Sequence, residues 1–253
     1  MKIAQKSDIG TVRQENQDRV AAKILGESSA FAVVCDGMGG ENAGSLASEL
    51  AITELCGRIC GGFSSEMKPS SVKNLLMSSI EAANSAVYSR AKENPNYQGM
   101  GTTCVAVIAS GTAAYMINIG DSRAYIIRNG EIEQITEDHT LVNLWVSQGK
   151  ITPEEARIHP QKNLITRAVG IQPRVRADYY EFDTEPGDRI LLCSDGLTAY
   201  CDEDRLLEVI SENEPQSAVD ELVAFARESG GSDNISATII SISDESEETE
   251  DGQ

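Results

Sequence analysis

Two apolar runs, FAVVC (31–35) and RILLC (189–193), lead into an aspartate followed by glycine, at Asp36-Gly37 and, one serine later, Asp195-Gly196. Continuous apolar runs of this length read as strands buried on both faces. Helical spacing marks residues 43–60 (Leu46, Leu50, Thr53, Cys56) and 70–92 (Val72, Leu76, Ile80, Ala83, Val87). A β block follows at 102–109, 113–119, 123–128 and 131–135, with Asn129-Gly130 as a hairpin turn between the last two. Residues 140–170 read as irregular and helical, with a helix start at Thr152-Pro153-Glu154-Glu155. Strands near 175–183 and 189–193, helices near 203–212 and 215–228, and a strand at 234–242 complete the chain. Strands and helices fall in separate blocks, which predicts an α+β chain with largely antiparallel sheets. No linker or internal repeat divides it, so 1–243 is expected to be a single domain.

Composition narrows the class. The chain has 253 residues, 40% apolar and 24% charged, enough for a sizeable core. No apolar run approaches the ~18 residues of a membrane span, and the first residues lack the apolar core of a signal peptide. Cys35, Cys104 and Cys193 lie in apolar strands, while Cys56, Cys60 and Cys201 are scattered. They read as small hydrophobes in a reducing cytoplasm, and with two histidines in the chain no zinc site is expected at Cys56 and Cys60. The net charge of −19 repels phosphate backbones and excludes nucleic acid as a partner. Residues 244–253, DESEETEDGQ, carry six of the acids and read as a disordered, solvating tail.

Five aspartates stand at predicted strand ends or turns: Asp18, Asp36, Asp121, Asp195 and Asp233. Any one of them is an ordinary turn residue, since Asp bonds its own backbone and glycine accepts positive φ. Together they ask for more. Asp36 and Asp195 follow strands apolar enough to be central, where an unpaired carboxylate costs several kcal/mol or takes up a proton. Few bases lie near in sequence, so a divalent cation is the economical partner. All-oxygen ligation suits Mg²⁺ or Mn²⁺ over Zn²⁺. The text lacks a GxxxxGK[ST] loop, a dinucleotide fingerprint and the spacing of thiolate or serine nucleophile sites.

The segments SDIGTVRQENQD (7–18), DGMGG (36–40), MGTT (100–103), GDSR (120–123), LLCSDGL (191–197) and GGSDNIS (230–236) resemble, in order and spacing, the motifs of the protein phosphatase 2C family, metal-dependent Ser/Thr protein phosphatases, in its bacterial form. The resemblance spans residues 7–236. It implies a sandwich of two antiparallel β-sheets flanked by α-helices on both faces (α-β-β-α), with the metal site where strands of both sheets end. It implies hydrolysis of phosphoserine and phosphothreonine in proteins by in-line attack of a hydroxide bridging two Mn²⁺ or Mg²⁺ ions. Asp36 would bridge the ions, the Gly37 carbonyl would bind one, and Asp195 and Asp233 would hold the other. Asp18 would accept from a metal-bound water. Asp121, with Asp195, would hold a third, weaker ion, and Arg13 would bind the substrate phosphate, making Arg13 and Asp36 the catalytic residues.

This chain departs from the family in places. Gln17 stands where eukaryotic relatives carry a metal-binding Glu, so the second ion should keep more water. Met38 and Glu41 occupy positions where relatives carry histidines, which leaves the leaving-group acid unassigned. Residues 141–172, with Trp145, match the family's variable flap, where substrate choice is expected. A cytoplasmic monomer is expected, with phosphoproteins as substrates, a Ser/Thr kinase as its opponent, and no membrane or nucleic-acid partner.

Overall fold

A computed structural model of the protein describes residues 1–40 and 43–243. The chain begins with β1 (Lys2–Asp8), β2 (Asp18–Gly26), β3 (Ser29–Met38), α1 (Ala43–Gly62) and α2 (Pro69–Glu93). The middle contains β4 (Gly101–Thr102), β5 (Cys104–Ser110), β6 (Ala113–Ile119), β7 (Arg123–Arg128), β8 (Glu131–Gln134), α3 (Leu141–Ser147) and α4 (Pro153–Ile158). It closes with β9 (Asp178–Asp183), β10 (Arg189–Cys193), α5 (Asp195–Thr198), α6 (Glu203–Glu212), α7 (Pro215–Glu228) and β11 (Ile235–Ser241).

One sheet has the order β1-β11-β10-β7-β8, the other β2-β3-β5-β6-β9, with β4 paired to β3; every pairing is antiparallel. The apolar runs are explained by the layers. Phe31, Val33 and Cys35 of β3 pack under α1 and α2, while Ala30, Ala32 and Val34 face the other sheet. Likewise Leu191 and Cys193 of β10 pack under α6 and α7, and Ile190 and Leu192 point between the sheets. Alternation still governs each strand, but both faces are dry, so the text shows no polar positions. The result is an α-β-β-α sandwich with three apolar layers of side chains.

Several expectations change. Strands β1 and β2 were not anticipated; in β2 (DRVAAKILG) three charged residues interrupt the apolar positions and most of the strand is only partly buried. The stretch 102–109 breaks at Thr103, between β4 and β5. In α1 the face on the sheet is Ala43, Gly44, Ala47, Ser48, Ala51, Leu55 and Ile59, and Thr53 is exposed. Small residues lead that face because the start of α1 lies against the backbone of β3. Asn129 (φ 52°) and Gly130 (φ 79°) form the expected hairpin turn, and Thr152 and Glu155 form a reciprocal capping box. Glu41 and the acidic tail lie outside the described residues.

Candidate metal centre

The topology brings the candidate acids to one end of the sandwich. Asp18, at the start of β2, lies directly opposite Asp36, near the end of β3. Asp195 follows β10 and Asp233 precedes β11, its antiparallel neighbour. Asp121 sits in the connection where the chain crosses from β6 in one sheet to β7 in the other. Ser194 Oγ donates to Asp18 Oδ2 at 2.7 Å and links the two sheets beneath the acids. Asp195 is the first residue of the one-turn helix α5 and not a strand end.

The backbone here is held tightly. The Asp36 amide donates to Thr103 Oγ1 at 2.9 Å, and its carbonyl accepts from Thr103 N at 2.8 Å and from Thr102 Oγ1 at 2.9 Å. The Thr103 hydroxyl in turn meets Ser122 Oγ at 2.7 Å. Gly37 is needed for space, and its φ is not positive. A Cβ there would overlap the Gly44 carbonyl and stand 2.7 Å from the Gln17 carbonyl, both backbone. Gly37→Ala is therefore expected to destabilise the protein by about 3 kcal/mol, since the clash is with backbone that cannot swing aside. A denaturant midpoint equal to that of the unaltered protein would show that the start of α1 can shift freely.

The N-terminal loop is laced to the segment before β11. Asn234 Nδ2 donates to the carbonyls of Ile9 (2.9 Å) and Glu15 (3.0 Å), and its Oδ1 accepts from Gln17 N at 2.8 Å. Thr11 N donates to Gly231 O at 2.8 Å. This lacing sets Arg13 at the rim, where Nη2 pairs with Asp233 Oδ2 at 2.7 Å. The ion pair is half-exposed and long-range in sequence, so the text gave no sign of it. Ser194, Asn234, Thr103 and Ser122 also went unassigned. Their sign in the text is a small polar residue beside an acid or at the strand end facing one.

Electrostatics make the cluster costly as it stands. Burial raises Asp36 well above the usual carboxylate range, and the charges of Asp18, Asp195, Asp121 and Asp233 add to it. Asp18 is pushed up to about 6, by burial first, against hydrogen bonds from Ser194 and Ser236. Asp121 is pushed up to about 7, by burial and then Asp195 and Asp138. Asp195 is raised by burial and Asp233, while the proximity of the Asp36 side chain and the charges of Arg13 and Arg123 pull it down. Asp18 Oδ1 and Asp195 Oδ1 are buried and meet no hydrogen-bond partner among the described residues.

Orphaned buried carboxylate oxygens with no histidine or thiolate among them are a donor set for a hard divalent cation. Among the described residues no three His, Cys, Asp or Glu side chains converge as a ready-made cage for one ion. The donor set tolerates this, because Mg²⁺ and Mn²⁺ sites complete themselves with carbonyls and water.

His139 has both ring nitrogens engaged. Gly120 N donates to His139 Nδ1 at 3.1 Å, so the ring is neutral with its proton on Nε2, facing Asp178 Oδ2 at 2.9 Å. Burial lowers its pKa, outweighing Asp178. His159 accepts from Gln161 N at 3.1 Å and lies edge-on to Trp145. A cleft of about 1130 Å³ runs from Asp121 and Asp195 beneath Val142, Val146 and Arg157 to the start of α6.

Comparison with known proteins places the chain among relatives of the same fold. A family model described as protein phosphatase 2C matches residues 11–238. The chain is 34% identical to the protein phosphatase PhpP of Streptococcus pneumoniae, over 98% of this chain and 100% of that one. It is 35% identical to the serine/threonine protein phosphatase PstP of Mycobacterium tuberculosis over 96% of this chain, but spans only 45% of that relative's length. A crystal structure of the catalytic domain of PstP in complex with two manganese ions superposes with a TM-score of 0.84 at 34% identity, covering 96% of this chain and 98% of that one. Fold, motif order and near-complete coverage agree, and the chain belongs to the protein phosphatase 2C family.

Proposed function

We propose that this chain hydrolyses phosphoserine and phosphothreonine in proteins, with divalent metal ions held at the acid cluster. The observation that carries the reading is the pair of orphaned carboxylate oxygens on Asp18 and Asp195, within a cluster of acids whose ionisation the fold opposes. Relatives bearing the name serine/threonine protein phosphatase supply the reaction class. When bound, Mn²⁺ or Mg²⁺ ions supply Lewis acidity, lowering the pKa of a water toward neutrality so that it can attack phosphorus in line.

The chain's own groups do the rest. Asp36 and the Gly37 carbonyl would hold one ion, and Asp36 with Asp195 and Asp233 would hold the other. Asp18, anchored by Ser194, keeps one oxygen for a water of this shell. Arg13, tethered to Asp233 at the rim, offers its planar guanidinium to the phosphoryl oxygens. Residues 1–243 act as one catalytic domain, with 141–172 as a flap over the cleft. The protein works as a cytoplasmic monomer opposing a Ser/Thr kinase; among the described residues no helix is long and apolar enough to cross a membrane. Hydrolysis of phosphoserine and phosphothreonine peptides with Mn²⁺ tests this reading, against phosphotyrosine peptides and sugar phosphates. Preference for a sugar phosphate would overturn the substrate class.

Arg13→Ala is expected to raise KM for a phosphopeptide about tenfold, with a smaller effect on metal affinity, because its partner in the reaction is phosphate. An unchanged KM with lost metal binding reassigns Arg13 to holding Asp233. Asp121, with Asp195, would hold a third ion more weakly than the first two, having fewer carboxylates to offset its dehydration. Asp121→Asn is expected to spare aryl phosphate hydrolysis while slowing phosphopeptide hydrolysis. A phenolate departs readily, whereas a serine alkoxide must be protonated as it leaves. Equal losses on both substrates would remove Asp121 from leaving-group chemistry.

A further inference from the structure

His139 reaches three separate parts of the molecule around the site. It grips Gly120 from both sides: Nδ1 accepts from Gly120 N at 3.1 Å, and the His139 amide donates to Gly120 O at 2.9 Å. Gly120 is the residue before Asp121; it has φ +106°, and a Cβ there would press on Thr103. On the other edge of the ring, Nε2 meets Asp178 Oδ2 at the start of β9, and Asp178 Oδ1 accepts from Arg167 Nη1 at 2.8 Å. The His139 carbonyl accepts from Thr166 N at 2.7 Å and Thr166 Oγ1 at 3.0 Å. Thr140, next in the chain, caps α3 through its hydroxyl and bridges to Ile165. The entry and exit of the flap thus hang on the residue that holds the Asp121 turn.

We infer that His139 is a positioning residue for Asp121, joining both ends of the flap to the turn that presents this carboxylate. The inference rests on the reading of Asp121 as a ligand of a third ion. The two legs of the imidazole are separable by substitution. Asparagine can place Oδ1 where Nδ1 stands and so keep the Gly120 contact, while losing Asp178. Glutamine can reach the place of Nε2 and keep Asp178, while losing Gly120. An imidazole serving only as buried filler would show no such split.

The test uses the whole chain and Mg²⁺ alone as the probe, since Mg²⁺ does not quench fluorescence. Calorimetry measures binding, amide exchange reports on Gly120, and emission of Trp145, the single tryptophan, reports on α3 in the flap. The unaltered protein is expected to show a weak binding phase that changes Trp145 emission and is abolished in Asp121→Asn. His139→Asn is expected to keep Gly120 protected and the weak phase within about threefold, while losing the Trp145 response. His139→Gln is expected to expose Gly120 to exchange and weaken that phase tenfold or more. Equal weakening in both variants, tracking an equal loss of thermal midpoint, overturns the proposal, as does an unchanged weak phase in both. If the unaltered protein shows no weak phase sensitive to Asp121→Asn, the third-ion reading fails and this inference fails with it. If that phase is present but indifferent to His139, the coupling alone is wrong.

Discussion

Asp36→Asn is expected to lower phosphopeptide hydrolysis about 10³-fold or more, equivalent to about 4 kcal/mol of barrier, and at the same time to make the metal-free protein more stable. Both effects have one cause. The partly buried Asp36 carboxylate lies among Asp18, Asp195, Asp121 and Asp233, so its charge is opposed by desolvation and by four neighbours of the same sign. Asparagine keeps the shape and the backbone bonds to Thr102 and Thr103 while removing that charge. Ordinary substitutions at a tightly packed position destabilise, so a rise in thermal midpoint in EDTA at pH 8 is diagnostic of a strained functional group. The same substitution should erase the midpoint increase caused by Mn²⁺ in the unaltered protein, because the shared ligand is gone. Activity that survives Asp36→Asn, or full activity in EDTA, ends the metal reading.

In EDTA the unaltered protein is expected to lose about 2 kcal/mol or more of stability between pH 5.5 and pH 8. Asp18 and Asp121, ordinarily near 3.8, stand at about 6 and about 7 in the folded state. A carboxyl with a raised folded pKa holds its proton more tightly when folded than when unfolded. Its contribution is fully present below the unfolded pKa and is lost as pH rises through the folded one, at about 1.4 kcal/mol per unit. Asp36, raised further, adds to the loss in the same direction. His139, lowered by burial, opposes it below its unfolded pKa. Divalent ions compete with protons for these oxygens, so Mn²⁺ should stabilise most at the alkaline end and flatten the slope. Unfolding midpoints in denaturant across this range check it; stability that is flat or rises with pH in EDTA would mean that the carboxyls are not held near-neutral by the fold.

Much of the architecture was legible because apolar runs, turn chemistry and caps are local signals. Val72, Leu76, Ile80, Ala83 and Val87 of α2 face the core at the expected spacing, and the Asn129-Gly130 turn and Thr152 cap form where the text puts them. The face of α1 was misread because its burial is set by the approach of β3, which no periodicity records. Strand β2 was missed because most of it is only partly buried and Asp18, Arg19 and Lys23 interrupt its apolar positions, its place being held by pairing with β3.

The acids themselves announced the site. Asp36 and Asp195 stand out because a carboxylate behind an apolar strand contradicts its surroundings, and that contradiction is local. Their common destination is not. Asp18 and Asp36 meet through antiparallel register, Asp195 and Asp233 through the β10–β11 ladder, and Asp121 through a crossover between sheets. The Arg13–Asp233 pair and the His139 bridge from Gly120 to Asp178 join residues far apart in the chain, by contacts that exist only in the folded molecule. Residue chemistry along the chain determined which groups are costly to bury; the tertiary structure decided which of them share that cost, because distance between charges belongs to the fold.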